Sequence, residues 1–447
     1  HTGALATNDT IVADMLRQAG VIRVDTLEEM FDVASLLANQ PLPRGRRVAI
    51  ITNAGGPGIL AADACEAKGL ELATLSETTT RALREFLPAA ASVANPVDMI
   101  ASASPDQYAR TLRAVLADPS VDALISIYIP VLPTDAPEVA KVIRESTPLA
   151  SGKTMIATFM SVQGVPAPLG SVPSFPFPER AVAALASAAK YAEWRRSPVG
   201  NVIRFADIDA PALRSVIDEK IVRGGGWLDA GEVRTLLCAA GIHVVPTETV
   251  ASAADAVAAA RRIGFPVVLK AQGPELLHKS DVGAVKLWLM TDAAVQDAFA
   301  EMQLALGERM TGALVQKMLH GVEVMLGADA DPSFGHLIAY GAGGVLVEML
   351  ADVAFRIHPL TDADIDEMMR QVRASKLLGG FRGSAPADVP ALKEAIARIS
   401  ALITLCPEVR ELDINPMIAL PDGAVAVDAR VRVEKIVPGP PSRRVSY

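Results

Sequence analysis

The sequence predicts an α/β protein in which helices pack on a largely parallel sheet, and three observations carry that prediction. Aromatic residues make up only 4% of the chain, so alanine, valine and leucine must build the core, as they do where helices meet parallel strands. Val48-Ala49-Ile50-Ile51-Thr52 is a continuous apolar run of the kind that is buried on both faces of a sheet. It runs straight into Asn53-Ala54-Gly55-Gly56-Pro57-Gly58, after which residues 59–68 read as helix. Strand, glycine turn and helix start are the repeating unit of doubly wound folds, where ligands sit at the carboxyl ends of strands. At 447 residues the chain exceeds what one core holds, so two to four domains are expected.

The remaining elements follow in order. Asn8 and Asp9 precede an apolar helical pattern, and Asp25-Thr26-Leu27-Glu28-Glu29-Met30-Phe31 opens a second amphipathic run, so residues 1–44 are a helical lead-in. Pro41-Leu42-Pro43-Arg44-Gly45 breaks it. A first domain over 45–200 takes further buried strands from 121–130 and 154–159, a helix near 136–145 and a closing helix at 178–196. Residues 201–226, ending in Gly224-Gly225-Gly226, read as a connector. Asp229 with Glu232 three residues on is a capping-box signature for the next helix. A helix at 255–263 leads to the strand 266–270, and Ala284-Val285-Lys286-Leu287-Trp288-Leu289 alternates as a strand. Residues 313–319 and 322–327 look like paired strands around His320-Gly321, and Gly341-Ala342-Gly343-Gly344 is a glycine-rich turn. This part divides into lobes at 227–310 and 311–447.

Composition excludes several functions. With 51% hydrophobic and 21% charged residues the chain is globular rather than disordered. A formal net charge of −9 argues against nucleic acid, which needs clustered lysine and arginine. No apolar run reaches the roughly 18 residues of a membrane span. Cys65, Cys238 and Cys406 lack metal-ligand spacing and are expected to be buried free thiols, in keeping with a reducing cytoplasm. The chain begins with His1 rather than methionine, and a native start is expected further upstream.

The chemistry concentrates in the second half. The strand Pro266-Val267-Val268-Leu269-Lys270 delivers a cation to the polar loop containing Leu277-His278-Lys279-Ser280-Asp281. A lysine ammonium suits phosphate as a point charge, and a histidine can carry a phosphoryl group as a covalent intermediate. From the residues alone, Lys270 reads equally as a snorkelling surface lysine and His278 as an ordinary loop residue. Further on, Glu411-Leu412-Asp413-Ile414-Asn415-Pro416 and Asp428 supply oxygen donors of the type Mg²⁺ accepts together with substrate phosphates. The glycines after Asn53 read either as a tight turn or as a helix N-terminus that attracts phosphate.

These motifs together resemble the NDP-forming acyl-CoA synthetases, relatives of succinyl-CoA synthetase. Residues 226–435 resemble that family's two-subdomain ATP-grasp portion and residues 45–196 its flavodoxin-like ligase domain. His1-Thr2-Gly3-Ala4-Leu5-Ala6 resembles its phosphohistidine segment, although a tag remnant would also begin with histidine. The resemblance implies that Lys270 contacts nucleotide phosphates and that Gln316 and Met318 lie on the hinge that meets adenine. Glu323 falls where the family has a nucleotide-contacting acid, and Asn415 and Asp428 match its Mg²⁺ ligands. Asp413 matches the acid that holds the arriving phosphohistidine. Asn53, Gly55 and Gly56 match the helix start facing that histidine. The His278 loop follows the ADP-forming acetyl-CoA synthetase pattern, so phosphate would pass from ATP to His278, then to His1, then to a carboxylic acid, giving an acyl phosphate that CoA attacks. ATP or ADP, Mg²⁺ and CoA are the implied cofactors, and a homo-oligomer is expected. CoA is expected to bind mainly through upstream domains, in cis or on another subunit, that these residues do not include. Two other readings stay open: a different ATP-grasp carboxylate ligase, and a nucleotide-sensing module of a larger acetyltransferase-type protein. His243, His320, His336 and His358 have no partner pattern and are read as structural.

Overall fold

A computed structural model describes residues 8–130, 136–161, 164–273, 284–331, 334–344, 352–380 and 383–436. The chain forms two compact units, one of residues 19–198 and one that joins 1–18 to 199–447.

The unit 19–198 holds an all-parallel sheet of β1 (Arg47–Thr52), β2 (Glu71–Leu72), β3 (Val97–Asp98), β4 (Ala123–Tyr128), β5 (Thr154–Phe159) and β6 (Ser174–Phe175), in the order β2-β1-β4-β5-β6 with β3 on β1. Side chains alternate between the two faces of a strand, and β1 divides its apolar residues accordingly. Val48 and Ile50 enter a core with the helices Leu27–Asn39, Gly55–Lys68 and Pro178–Arg196, whereas Ala49 and Ile51 enter one with the helices Pro105–Ala117 and Ala136–Ser146. A sheet covered on both faces is the doubly wound arrangement expected from the sequence.

The second unit holds two antiparallel sheets. Its strands are β7 (Gly226–Trp227), β8 (Thr247–Val250), β9 (Val267–Gln272), β10 (Val285–Leu289), β11 (Gly312–Lys317), β12 (Val322–Asp331), β13 (Gly335–Ala342), β14 (Val353–Ile357), β15 (Val409–Leu420), β16 (Gly423–Ala426) and β17 (Ala429–Val433). A four-stranded sheet runs β10-β9-β11-β8, and a seven-stranded one runs β14-β13-β12-β15-β17-β7 with β16 on β15. Two sheets with their own helices make a two-lobed unit, as the resemblance implies.

Four expectations need correction. The stretch 201–226 is not a connector throughout, because it contains the helix Ala210–Val222, capped by Asp209, whose Leu213 and Ile217 are fully buried in the core of the larger lobe. Residues 313–319 and 322–327 do not pair: β11 belongs to the small sheet and β12 to the large one, so the chain crosses between lobes at 318–321 and the lobe boundary lies after Lys317. Residues 227–246 pack with the large lobe, through Leu228, Val233, Leu236, Leu237 and Ile242. Cys238 is exposed, whereas Cys65 and Cys406 are buried and free, with burial pushing their thiols up to about 12 and about 11.

The lead-in also divides. The helix Asn8–Gln18 lies on β14, the edge strand of the large sheet, where the Asp14 carboxylate accepts from the Phe355 amide (3.0 Å) and the Gln18 side chain accepts from Ile357 N (2.7 Å). Covering an edge strand satisfies backbone groups that would otherwise invite another chain. The capping box of Asp229 and Glu232 forms as read, with both reciprocal bonds present at 2.9 and 2.8 Å.

Candidate functional site

Six of the residues singled out converge where the two lobes of the second unit meet. On β9, Val267, Leu269 and Ala271 enter the small lobe's core, which turns Lys270 to the opposite face. Antiparallel pairing sets Leu314 opposite Lys270 and Gln316 opposite Val268, so Lys270 and Gln316 share that face. Lys270 Nζ lies 3.7 Å from the Asp428 carboxylate of the large lobe. Gln316 Nε2 donates to Val427 O (3.2 Å) and to Thr247 Oγ1 (3.1 Å), binding the small sheet to the same corner.

The large lobe presents its donors from β15, where Leu412 and Ile414 point into the core and Asp413 and Asn415 therefore point away. Asn415 lies in the middle of a long strand, and Asp428 lies in the two-residue gap between β16 and β17. Their backbones are joined by a bond from Asn415 N to Asp428 O (3.0 Å). The Asn415 amide oxygen accepts from Gly344 N (3.0 Å). Gly344 sits at φ +64°, a conformation strained for other residues, and a Cβ there would come within 2.0 Å of Glu323 Oε2 unless that side chain moved. Glu323 thus stands beside the glycine turn that positions Asn415. The sequence marked Gly341-Ala342-Gly343-Gly344 only as a turn, but Gly341 and Ala342 end β13, Gly343 lies against the backbone of Glu323 and Val324, and Gly344 against the Glu323 carboxylate.

Two buried oxygens in this corner lack a donor among the described residues: Asp413 Oδ1 and Gln316 Oε1. Buried acceptors are almost always satisfied, and an orphan aimed at a cleft is a place for a ligand's N–H or O–H. Burial pushes the Asp413 carboxyl above its ordinary range, Glu411 adding repulsion. Met318 is less available than expected: its N–H donates to Pro266 O (3.0 Å), so a base at the hinge must use other atoms.

The donor set fits Mg²⁺. One carboxylate and one amide oxygen, held together through their backbones, are hard ligands of the number the protein usually supplies when phosphates complete the octahedron. Among the described residues, no group of three or more His, Cys, Asp or Glu side chains forms an all-protein cage.

The first unit presents the third group of residues. The helix Gly55–Lys68 begins without a side-chain cap, leaving its first N–H groups and positive end of the dipole for an anion. Space beyond Gly56 is open. Asn53, however, is 2% exposed, and its amide is spent on Ile129, donating to its carbonyl (2.8 Å) and accepting from its N–H (2.9 Å). Asn53 therefore ties β1 to the strand end of β4 rather than facing a ligand. His1 and His278 lie outside the described residues. His336 and His358 are structural: His336 Nε2 meets Val409 O (2.8 Å), and burial lowers the pKa of His358 to about 4.

Three family models match parts of the chain. An ATP-grasp domain model matches residues 220–433, a Ligase-CoA domain model residues 48–157, and a model of the flavodoxin domain of succinyl-CoA ligase-like proteins residues 1–37. The chain is 35% identical over 434 residues to a 4-hydroxybutyrate–CoA ligase (ADP-forming) of Nitrosopumilus maritimus, covering 95% of this chain and 62% of that protein. It is 37% identical over 443 residues to acetate–CoA ligase (ADP-forming) I of Archaeoglobus fulgidus, covering 96% and 63%. The beta subunit of acetate–CoA ligase (ADP-forming) I of Pyrococcus furiosus is 38% identical over 230 residues, matching 50% of this chain and 99% of that subunit. The chain thus spans just under two thirds of the two longer relatives. No helix among the described residues is long and apolar enough to cross a membrane.

Proposed function

This chain belongs to the family of ADP-forming acyl-CoA synthetases, and on that premise we propose that it ligates a carboxylic acid to CoA at the expense of ATP, releasing ADP and phosphate. The observation that carries the reading is the corner of Lys270, Gln316, Asn415 and Asp428 with the orphaned Asp413 oxygen beside it. Lys270 meets the β- and γ-phosphates, exchanging its contact with Asp428 for one with substrate. Asn415 and Asp428 hold Mg²⁺, which when bound neutralises charge on the phosphate oxygens. Gln316 and the hinge orient the base, and Glu323 takes part in holding the nucleotide. Phosphoryl transfer leaves little covalent work for a protein beyond such positioning and charge neutralisation.

In the proposed sequence an imidazole nitrogen of His278 displaces ADP from the γ-phosphorus. The phosphoryl group then moves to His1, and from there to the carboxylate oxygen of the acid. CoA thiolate attacks the resulting acyl phosphate at carbon, and phosphate leaves. Asp413 accepts a hydrogen bond from the imidazole that arrives at the nucleotide, filling its orphaned oxygen. The helix start at Gly55 and Gly56 stabilises phosphate at the acyl step. CoA, the acid and further subunits or domains complete the enzyme.

The nucleotide half is tested by calorimetry. Replacing Asn415 and Asp428 together by alanine should reduce Mg·ATP affinity at least tenfold while the fold survives, and unchanged affinity would remove the metal assignment.

A further inference from the structure

Strand β10 carries an anomaly that the proposed chemistry does not use. Its pairing with β9 sets Val285 opposite Lys270, Lys286 opposite Leu269 and Leu289 opposite Val267, with a register shift between Lys286 and Leu289. Leu287 and Trp288 therefore both fall opposite Val268, which is a β-bulge. Trp288 sits in it at φ +56°, a left-handed conformation that glycine adopts readily and a bulky side chain rarely does. Bulges re-aim side chains and recur beside active sites, and strained residues persist where a site requires their geometry.

The ring so placed is half exposed (50%), and its centroid lies 6.2 Å from that of His320 at a 56° tilt. His320 is in the crossing between lobes, immediately after Gln316-Lys317-Met318-Leu319. Val268, opposite the bulge, shares the face of Lys270 and Gln316. An aromatic edge is thus built on the strand next to that of Lys270 and beside His320 of the crossing between lobes.

We propose that Trp288, supported by His320, forms an aromatic wall against which the purine ring of the bound nucleotide packs. The inference rests on the nucleotide-site reading above and adds a base-binding residue to it. Base–aromatic contact needs no particular hydrogen-bond pattern, which suits a hinge whose Met318 N–H is already engaged.

Backbone strain makes the test unusually clean. Trp288→Gly relieves an unfavourable φ, so the thermal midpoint of the ligand-free chain should hold or rise. ADP affinity should fall about tenfold, the scale of a lost base stack, while affinity for inorganic tripolyphosphate, which has no base, stays within twofold. Trp288→Phe should restore most ADP affinity. The parent's tryptophan emission should respond saturably to ADP, a response retained in Trp194→Phe and Trp227→Phe and lost in Trp288→Phe. Unchanged ADP affinity in Trp288→Gly, or equal losses for ADP and tripolyphosphate, would overturn the inference. Lys270→Met separates the two levels. If it weakens tripolyphosphate binding while Trp288→Gly affects neither ligand, only the aromatic wall falls. If Lys270→Met leaves both ligands unaffected, the site itself has been misread and the wall falls with it.

Discussion

Particular amides and carboxylates in the two units are treated in opposite ways. In the parallel-sheet unit the buried hydroxyls of Thr111, Ser126, Thr147 and Thr158 lack a partner among the described residues, but the amides of Asn95 and Asn53 and the carboxylate of Asp118 are saturated. Asn95 accepts from Ile50 N (2.9 Å) and donates to Val48 O (2.8 Å) and Ala73 O (3.0 Å), Asn53 is closed onto Ile129, and Asp118 accepts from Ser76 N, Ser120 N and the Ser120 hydroxyl. At the lobe junction of the other unit, Asp413 and Gln316 each keep a buried oxygen without a donor among the described residues. The contrast separates amides and carboxylates that hold the chain together from the two acceptors left open at the lobe junction. A saturated amide stabilises the fold, whereas an orphaned acceptor costs stability that a ligand can return.

The largest effect that could break this comparison is at Asn95. Asn95→Ala strands buried backbone groups and should lower stability by about 3 kcal/mol, read by urea denaturation, with Mg·ATP affinity unchanged. A loss below about 1 kcal/mol would show that these bonds are replaceable and that saturation is not structural.

A sharper contrast comes from two acids with opposite pH behaviour. For Asp118, burial pushes the carboxyl up, but hydrogen bonds from Thr79, Ser120 and Ser76 outweigh it and hold the group well below the usual carboxylate range. Its stabilisation is present above the unfolded value near 4 and is lost as pH falls through the folded value. Asp118→Asn should therefore destabilise at neutral pH, with the deficit shrinking in acid. Asp413 has the reverse sign. Its folded value is raised, so the folded state holds the proton more tightly and stability declines as pH rises from about 4 through that value. Asp413→Asn should raise the thermal midpoint at neutral pH, give no gain near pH 3, and abolish phosphoryl transfer to His1. Equal pH profiles for the two variants would remove the distinction.

The smallest stability effect belongs to Lys270. A cation facing an exposed carboxylate at 3.7 Å contributes little to folding. Lys270→Met should leave the denaturation curve within about 0.5 kcal/mol while ATP affinity drops at least tenfold by calorimetry.

The sequence exposed features that are local. The Val48–Thr52 run with its glycine turn, the Asp229 and Glu232 capping box and the strand leading to Lys270 could all be read from adjacent residues. The corner of Lys270 and Asp428, proposed to hold nucleotide, became legible through several motifs jointly, since the two are far apart in the chain. What escaped depended on pairing partners. Nothing near Asn53 announces that Ile129 will consume its amide. Residues 313–319 and 322–327 read as neighbouring strands with only His320-Gly321 between them, so their division between two sheets is decided by the neighbours β9 and β15 provide. Leu213 and Ile217 form too brief an apolar stripe to distinguish a core helix from a polar connector. Trp288 looked like one more alternating strand residue, because a bulge is a property of two strands.

The central claim is that phosphate from ATP reaches His1 only by way of His278. The direct measurement is labelling of the full chain with γ-labelled ATP, with the label mapped to residue. The expected label is acid-labile and base-stable, present on both histidines in the parent, confined to His278 in His1→Ala and absent from both positions in His278→Ala. A label that persists on His1 in His278→Ala would contradict it, showing direct transfer from the nucleotide to a single histidine.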